Sequence, residues 1–456
     1  MSTASLPSLP SYVGAGAADT QIPSYTARPV NGEQTLGQSK LKRGDLRDWS
    51  KKNGNVTLTL FDQPPDAQLP VFGRQSTIQG AIMLENTQDI TSVNIKVHGY
   101  VKCKSLPEYG GSYYVLLEMP FTLWDKTHQE PCSSVLPINI TLPANYTLNG
   151  KTGPLPPSFL YSFYDVQGGT PGQKTRIKYE IIVDVERHQS SLKDKIGHTL
   201  STDFIYLPRS RPAKQPSTVP STIFEVEMQH RHNGKAKEED PIIWKLCLPP
   251  PGTYPLSRPI PFRVAVTSRS AALLTPFAPS KRDKSAIRVY LLRHVSFTTD
   301  TNVSLWRSFS IGEGVLTAAP PSDNLWLKNT VRRPGGGETA SIGSNSDKEG
   351  WASYDWIGTV KANKDVLSGG FSVANVVVQD YIVLSVVPPN PRGGSLLEAK
   401  KSVPIQLTTD EYDSPVIPSE FYEDRKEPTE DDSDNGHDNT NGATNGHGTN
   451  GTNGTH

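Results

Sequence analysis

Three short segments carry the residue types and spacing best suited to recognition in this chain. They are Leu9-Pro10-Ser11-Tyr12, Ile22-Pro23-Ser24-Tyr25 and Leu106-Pro107-Glu108-Tyr109. Proline fixes φ near the polyproline II value, so such a segment loses little entropy on docking. Aromatic-lined grooves of the WW-domain kind read segments of this form, and the tyrosine two residues beyond the proline can fill a neighbouring pocket. The first two lie in a Ser-, Pro-, Gly- and Ala-rich stretch without periodicity, which reads as a disordered tail over residues 1–50. Two weak sites on one flexible segment reinforce each other through effective concentration. The third, Leu106, Pro107 and Tyr109, follows a strand pattern and is the weaker candidate, since a β-loop can hold its tyrosine against the body.

Residues that could do covalent chemistry are not arranged for it. The chain has no G-x-S-x-G and no H-E-x-x-H. Cys103, Cys132 and Cys247 are dispersed without a C-x-x-C, and Cys103 falls on the apolar parity of its strand, where it reads as a small core residue. His98 falls on the solvent parity of the same strand, and His437, His447 and His456 are scattered without ligand spacing. Gly335-Gly336-Gly337 lacks the following Lys-Ser/Thr of a phosphate loop. No catalytic residue, metal site or cofactor is expected, and the chain reads as a non-enzyme. Net charge is zero, which implies no nucleic-acid partner.

The elements that must position any site are strands. Val93, Ile95, Val97, Gly99, Val101 and Cys103 alternate with polar residues, and so do Ile177, Tyr179, Ile181, Val183 and Val185. Phe224, Val226 and Met228 repeat the period of two, as do Phe262, Val264 and Val266. Helical stripes are almost absent, and 39 prolines with 37 glycines suit many strands joined by many turns. The class expected is all-β, most simply two consecutive sandwiches.

Punctuation divides the chain as follows: a tail over 1–50, a first sandwich over 51–208, a Pro/Arg/Lys-rich linker over 209–221, and a second sandwich over 222–410 with a flexible insertion near 317–350. A tail over 411–456 is acidic first, then Asn/Gly/Thr-rich. No apolar run approaches a membrane helix, and the first residues lack a secretory pattern, so a soluble intracellular protein is expected. Lys193, Lys195, Lys235, Lys237, Lys281 and Lys284 are available as ubiquitin acceptors. The short basic runs 209–214 and 281–284 could touch a membrane surface.

Several local sequences occur together in a familiar order. Val71-Phe72-Gly73 leads into Ile78-Gln79-Gly80-Ala81-Ile82-Met83-Leu84. Leu136-Pro137-Ile138 to Leu142-Pro143 precedes Leu155-Pro156-Pro157-Ser158-Phe159, then Ile177-Lys178-Tyr179-Glu180-Ile181. Pro259-Ile260-Pro261-Phe262, Val376 to Val387 and Ser402-Val403-Pro404-Ile405 follow. Over roughly residues 55–410 this series resembles the arrestin family, in composition most like the fungal α-arrestins, the arrestin-related trafficking adaptors. The resemblance implies an arrestin fold of two immunoglobulin-like sandwiches. It implies an adaptor joining cytoplasmic segments of membrane transporters or receptors to a WW-domain ubiquitin ligase of the HECT type, for ubiquitination and endocytosis. The location implied is cytoplasmic, with recruitment to plasma membrane or endosomes. The full Pro-Pro-x-Tyr usual in those adaptors does not occur, and Leu/Ile-Pro-x-Tyr resembles a weaker form of it. The alternative is an arrestin-fold scaffold in vesicle sorting, like the cargo-sorting subunit of retromer, without ligase recruitment.

Overall fold

The alternation read in the sequence is realised directly. Val93, Ile95, Val97, Val101 and Cys103 are buried while Lys102 and Lys104 between them are exposed, and Ile177, Tyr179, Ile181, Val183 and Val185 are buried on the facing strand. A computed structural model describes residues 33–36, 46–106, 110–127, 131–164, 172–188, 198–231, 240–278, 286–319, 352–388 and 394–413. Among these, the regular structure is almost entirely strand, with one α-helical turn, α1 (Ala271–Leu274), that tucks Leu274 into the core.

In chain order the strands are β1 (Glu33–Leu36), β2 (Arg47–Asn53), β3 (Val56–Gln63), β4 (Val71–Phe72), β5 (Thr77–Leu84), β6 (Ile90–Leu106), β7 (Gly111–Asp125) and β8 (Val135–Thr141). There follow β9 (Asn145–Leu148), β10 (Lys151–Pro154), β11 (Phe159–Phe163), β12 (Gly172–Arg187), β13 (His198–Tyr206), β14 (Arg209–Pro212), β15 (Thr222–Met228) and β16 (Ile242–Leu248). The last are β17 (Thr253–Pro255), β18 (Ile260–Ser268), β19 (Ile287–Thr298), β20 (Ser304–Ala319), β21 (Ala352–Val360), β22 (Phe371–Val373), β23 (Val376–Val386) and β24 (Ala399–Thr408).

A four-stranded sheet, β2-β3-β5-β8, and a larger one, β4-β13-β12-β6-β7 with β11 added to β12, contribute the side chains of a first hydrophobic core. Tyr179 anchors it. Its ring lies 5.2 Å from Tyr206 and 5.6 Å from Phe204, and its hydroxyl donates to the Pro156 carbonyl at 2.7 Å. Gly99, across the ladder, must be glycine, because a Cβ there would stand 2.6 Å from the Tyr179 ring.

Apart from two two-stranded sheets, β1-β14 and β9-β10, the other strands form one continuous sheet, β15-β16-β18-β21-β20-β19-β23-β24-β17, with β22 beside β23. It doubles over at β20. Ser304–Glu313 pairs with β19, while Gly314–Ala319 pairs with β21, so one strand belongs to both layers. Strands that switch layers through bends and bulges are a known way of making such corners. A second core lies between the layers, built on Trp244, Phe262, Phe277, Leu291 and Leu384.

The two cores share strands. On β19, Val289 and Leu291 belong to the second core, whereas Val295 and Phe297 belong to the first. On β23, Ile382 and Leu384 belong to the second, whereas Val376 and Val378 belong to the first. Aromatic contacts seal the seam. Tyr161 stacks on Phe309 with centroids 4.9 Å apart, and Phe159 meets Phe371 edge-on at 5.3 Å.

Two expectations need correction. The unstructured stretch over 1–50 contains β1, and β2 begins within it at Arg47. β1 pairs antiparallel with β14, which occupies the start of the expected linker at 209–221. Both strands are too short and polar to show a period, and each is held by a partner far away in sequence. Leu36 is buried, and Arg211 donates to the Gln34 side chain at 3.0 Å. β2 is mostly exposed, but its Lys51 and Asn53 side chains reach the Ser201 and Thr199 carbonyls of β13. The expected insertion near 317–350 starts inside β20, and the rest of it lies outside the described residues.

Candidate binding surface

Of the recognition segments, Leu9, Pro10, Tyr12, Ile22, Pro23 and Tyr25 lie outside the described residues, as do Pro107 and Tyr109. Leu106 is the last residue of β6. Lys193, Lys195, Lys235, Lys237, Lys281 and Lys284 also lie outside them. What the structure does place is the outer face of the larger sheet of the first core, crossed by β7, β6, β12, β11 and β13.

Because β6 and β12 turn their odd-numbered residues inward, their even-numbered residues line up outside in rows. The middle row is Glu118, His98, Glu180 and Asp203, one from each of four adjacent strands. Its charges are compensated. His98 Nδ1 lies 3.2 Å from Glu180, Lys178 bridges Glu180 at 2.9 Å and Asp203 at 2.7 Å, and Lys96 stands 3.7 Å from Glu118. Partial burial pushes the Glu180 carboxyl up, but its hydrogen bonds with Lys178 and His98 outweigh this and hold its pKa below the ordinary value. The desolvation opposing the Lys178 ammonium is likewise outweighed by Asp203 and Glu180, which hold its pKa above the ordinary lysine value. His98, read as a solvent-facing residue, is therefore half-buried in an ion-pair ladder.

Toward the end of β6 the same two strands do the opposite. Lys102 stands directly opposite Arg176, and Lys104 directly opposite Lys174. Like charges so placed repel, and each pair costs a few tenths of a kcal/mol or more, up to about 1. Arg176 finds Asp203 at 3.4 Å. Lys102, Lys104 and Lys174 have no carboxylate partner among the described residues. Exposed apolar groups flank this end: Tyr113 opposite Lys102, Leu160 opposite Arg176, and Tyr164 just beyond β11. Leu160 is 66% exposed.

No protein-family model matches this sequence, and no curated protein matches it. The surface must therefore be read from its own chemistry. Four cations with two aromatic rings and a leucine on a rigid sheet suit an acidic, extended partner with an apolar residue or two.

A second charged feature went unread in the sequence. Arg293 of β19 and Asp380 of β23 are 5% and 0% exposed and face each other in register. Arg293 Nε donates to Asp380 at 2.8 Å, and its Nη2 donates to Asp380 at 3.0 Å and to the Ser368 carbonyl at 2.7 Å. The pair sits where the two cores meet. Strand parity was the signal: Arg293 follows Val289 and Leu291, and Asp380 follows Val376 and Val378, each on the inward side. A single opposite charge on the apolar parity of each of two strands points to one buried pair.

The cysteines are placed for packing. Cys103 and Cys247 are buried, and burial pushes both thiols up to about 11, so neither ionises near neutrality. Among the described residues no group of three or more His, Cys, Asp or Glu is gathered as for a metal, and no helix is long and apolar enough to cross a membrane.

Proposed function

We propose that the chain is an arrestin-like adaptor. Its β body docks an acidic cytoplasmic segment of a membrane protein, and its N-terminal Leu/Ile-Pro-x-Tyr segments recruit a WW-domain ubiquitin ligase. The observation that carries the docking half is the pair of opposed cations, Lys102 with Arg176 and Lys104 with Lys174, next to the compensated ladder of the same strands. An anionic partner would relieve repulsion that the fold leaves in place. The ligase half rests on the Leu9–Tyr12 and Ile22–Tyr25 segments. A scaffold in vesicle sorting without a ligase is the second reading, favoured by the lack of a Pro-Pro-x-Tyr.

Two arms test this on the full-length chain. An acidic, tyrosine-containing peptide should bind with micromolar affinity and lose at least tenfold on Lys102→Glu with Lys104→Glu, roughly 1.4 kcal/mol. WW domains of a HECT-type ligase should bind the wild type and not the Tyr12→Ala, Tyr25→Ala variant. Loss of the second arm alone leaves the scaffold, and loss of the first alone removes the docking face.

A further inference from the structure

Where the two cores adjoin, the surface forms a partly open cleft, the concave kind of feature that small-molecule sites use. Its apolar walls come from both sides: Leu155 and Pro156 ahead of β11, Phe371 of β22 and Leu407 of β24. The wall before β22 is drawn tightly onto β24, since a Cβ on Gly369 would fall 1.9 Å from the Leu407 carbonyl oxygen.

Polar residues also line this cleft, and its charged ones are mostly committed. Arg209 is held by Asp410 through hydrogen bonds of 3.2 and 2.7 Å. Glu33 of β1 has its pKa pushed up by burial, against the lowering effect of a hydrogen bond with Ser210. Two further groups could take a ligand. Arg74 lines the cleft half-buried, with no carboxylate partner among the described residues. Tyr206 also lines it, is 1% exposed, and its hydroxyl has no hydrogen-bond partner among the described residues. A buried hydroxyl left unpaired bears the full cost of its desolvation, so its native partner calls for an explanation. The fold brings the two to the same cleft: Tyr206 pairs with Phe72, two residues before Arg74, and both line it.

We propose that this cleft binds a small monocarboxylate with an aliphatic body, its head taken by the Arg74 guanidinium and the Tyr206 hydroxyl, its chain lying against Leu155, Phe371 and Leu407. The planar guanidinium matches a carboxylate in two hydrogen bonds. A single charge suits the site better than a phosphate, because the Glu33 carboxyl lines the same cleft and would repel a dianion more strongly. The proposal is independent of the adaptor reading.

The test uses the full-length chain and sodium octanoate as probe, with 1-octanol as the neutral counterpart, followed by calorimetry. Saturable one-to-one octanoate binding is expected. Arg74→Gln should weaken it at least about tenfold, the loss expected for a charge-assisted bond, while changing octanol binding less than about twofold. Tyr206→Phe should weaken octanoate binding yet leave thermal stability equal or higher, which a purely structural hydroxyl would not do. Wild-type protein that fails to saturate with octanoate overturns the proposal. So does octanoate binding that both variants retain in full, and if Arg74→Gln fails to fold, Tyr206→Phe decides alone.

Discussion

Two charged assemblies sit on neighbouring parts of this molecule and obey different rules. Arg293 and Asp380 are out of water, between the cores, with three hydrogen bonds fixing the guanidinium. The ladder of Lys178, Glu180, His98 and Asp203 lies on an outer face where water still reaches it. In the first, each charge depends on its partner, because a lone ion there has no solvent to turn to. In the second, water screens every pair and can replace any one of them. Burial, rather than the number of ion pairs, sets what each assembly contributes.

That contrast can be broken or sharpened by substitution. Asp380→Ala strands the Arg293 cation and should cost about 3–5 kcal/mol in chemical denaturation. Replacing both partners, Arg293→Met with Asp380→Leu, should recover most of this, since an apolar pair demands no compensation. If the double variant is as unstable as the single, the pair does more than neutralise itself. Tyr179→Phe is the intermediate case, a buried neutral bond. It leaves the Pro156 carbonyl without its donor and should cost about 1–2 kcal/mol.

The outer ladder should respond to pH and salt. The Glu180 pKa is depressed in the folded protein, so its contribution is fully present above the unfolded value, near 4.3. It is lost as pH falls through the lower folded value. Glu180→Gln should therefore lower stability at pH 7 by less than about 1 kcal/mol. The gap from wild type should narrow as pH falls below the unfolded value, and in molar salt, as read from urea midpoints. The smallest effect belongs to the basic end. Lys104→Glu removes an opposed cation pair and should leave stability unchanged or raise it by a few tenths of a kcal/mol. The same change should weaken acidic-peptide binding, by less than the double Lys102→Glu, Lys104→Glu change does.

The strands were legible where one face is apolar and the other wet. β6 and β12 alternate over more than a dozen residues, and their buried sets are those the sequence pattern names. β1 and β14 were not legible, because four-residue, mostly polar strands carry no period and their pairing partners are remote. The basic end was half legible: Lys102 and Lys104 read as outward, but only the register shows Arg176 and Lys174 opposite them. The cleft was invisible, since Arg74, Tyr206 and Phe371 are brought together only by the meeting of the two cores.

Strands held in common have a consequence for how this chain must be made. By the time Tyr206 leaves a ribosome, every strand of the first core's own sheets has been synthesised. Yet Val295, Phe297, Phe371, Val373, Val376 and Val378, which complete that core, are still to come. Until they arrive, the Phe159 ring and its neighbours lack the surface they pack against. The nascent protein thus carries an unfinished apolar face through much of its translation. Such faces invite association and the attention of chaperones, and the carboxy-terminal strands close this one.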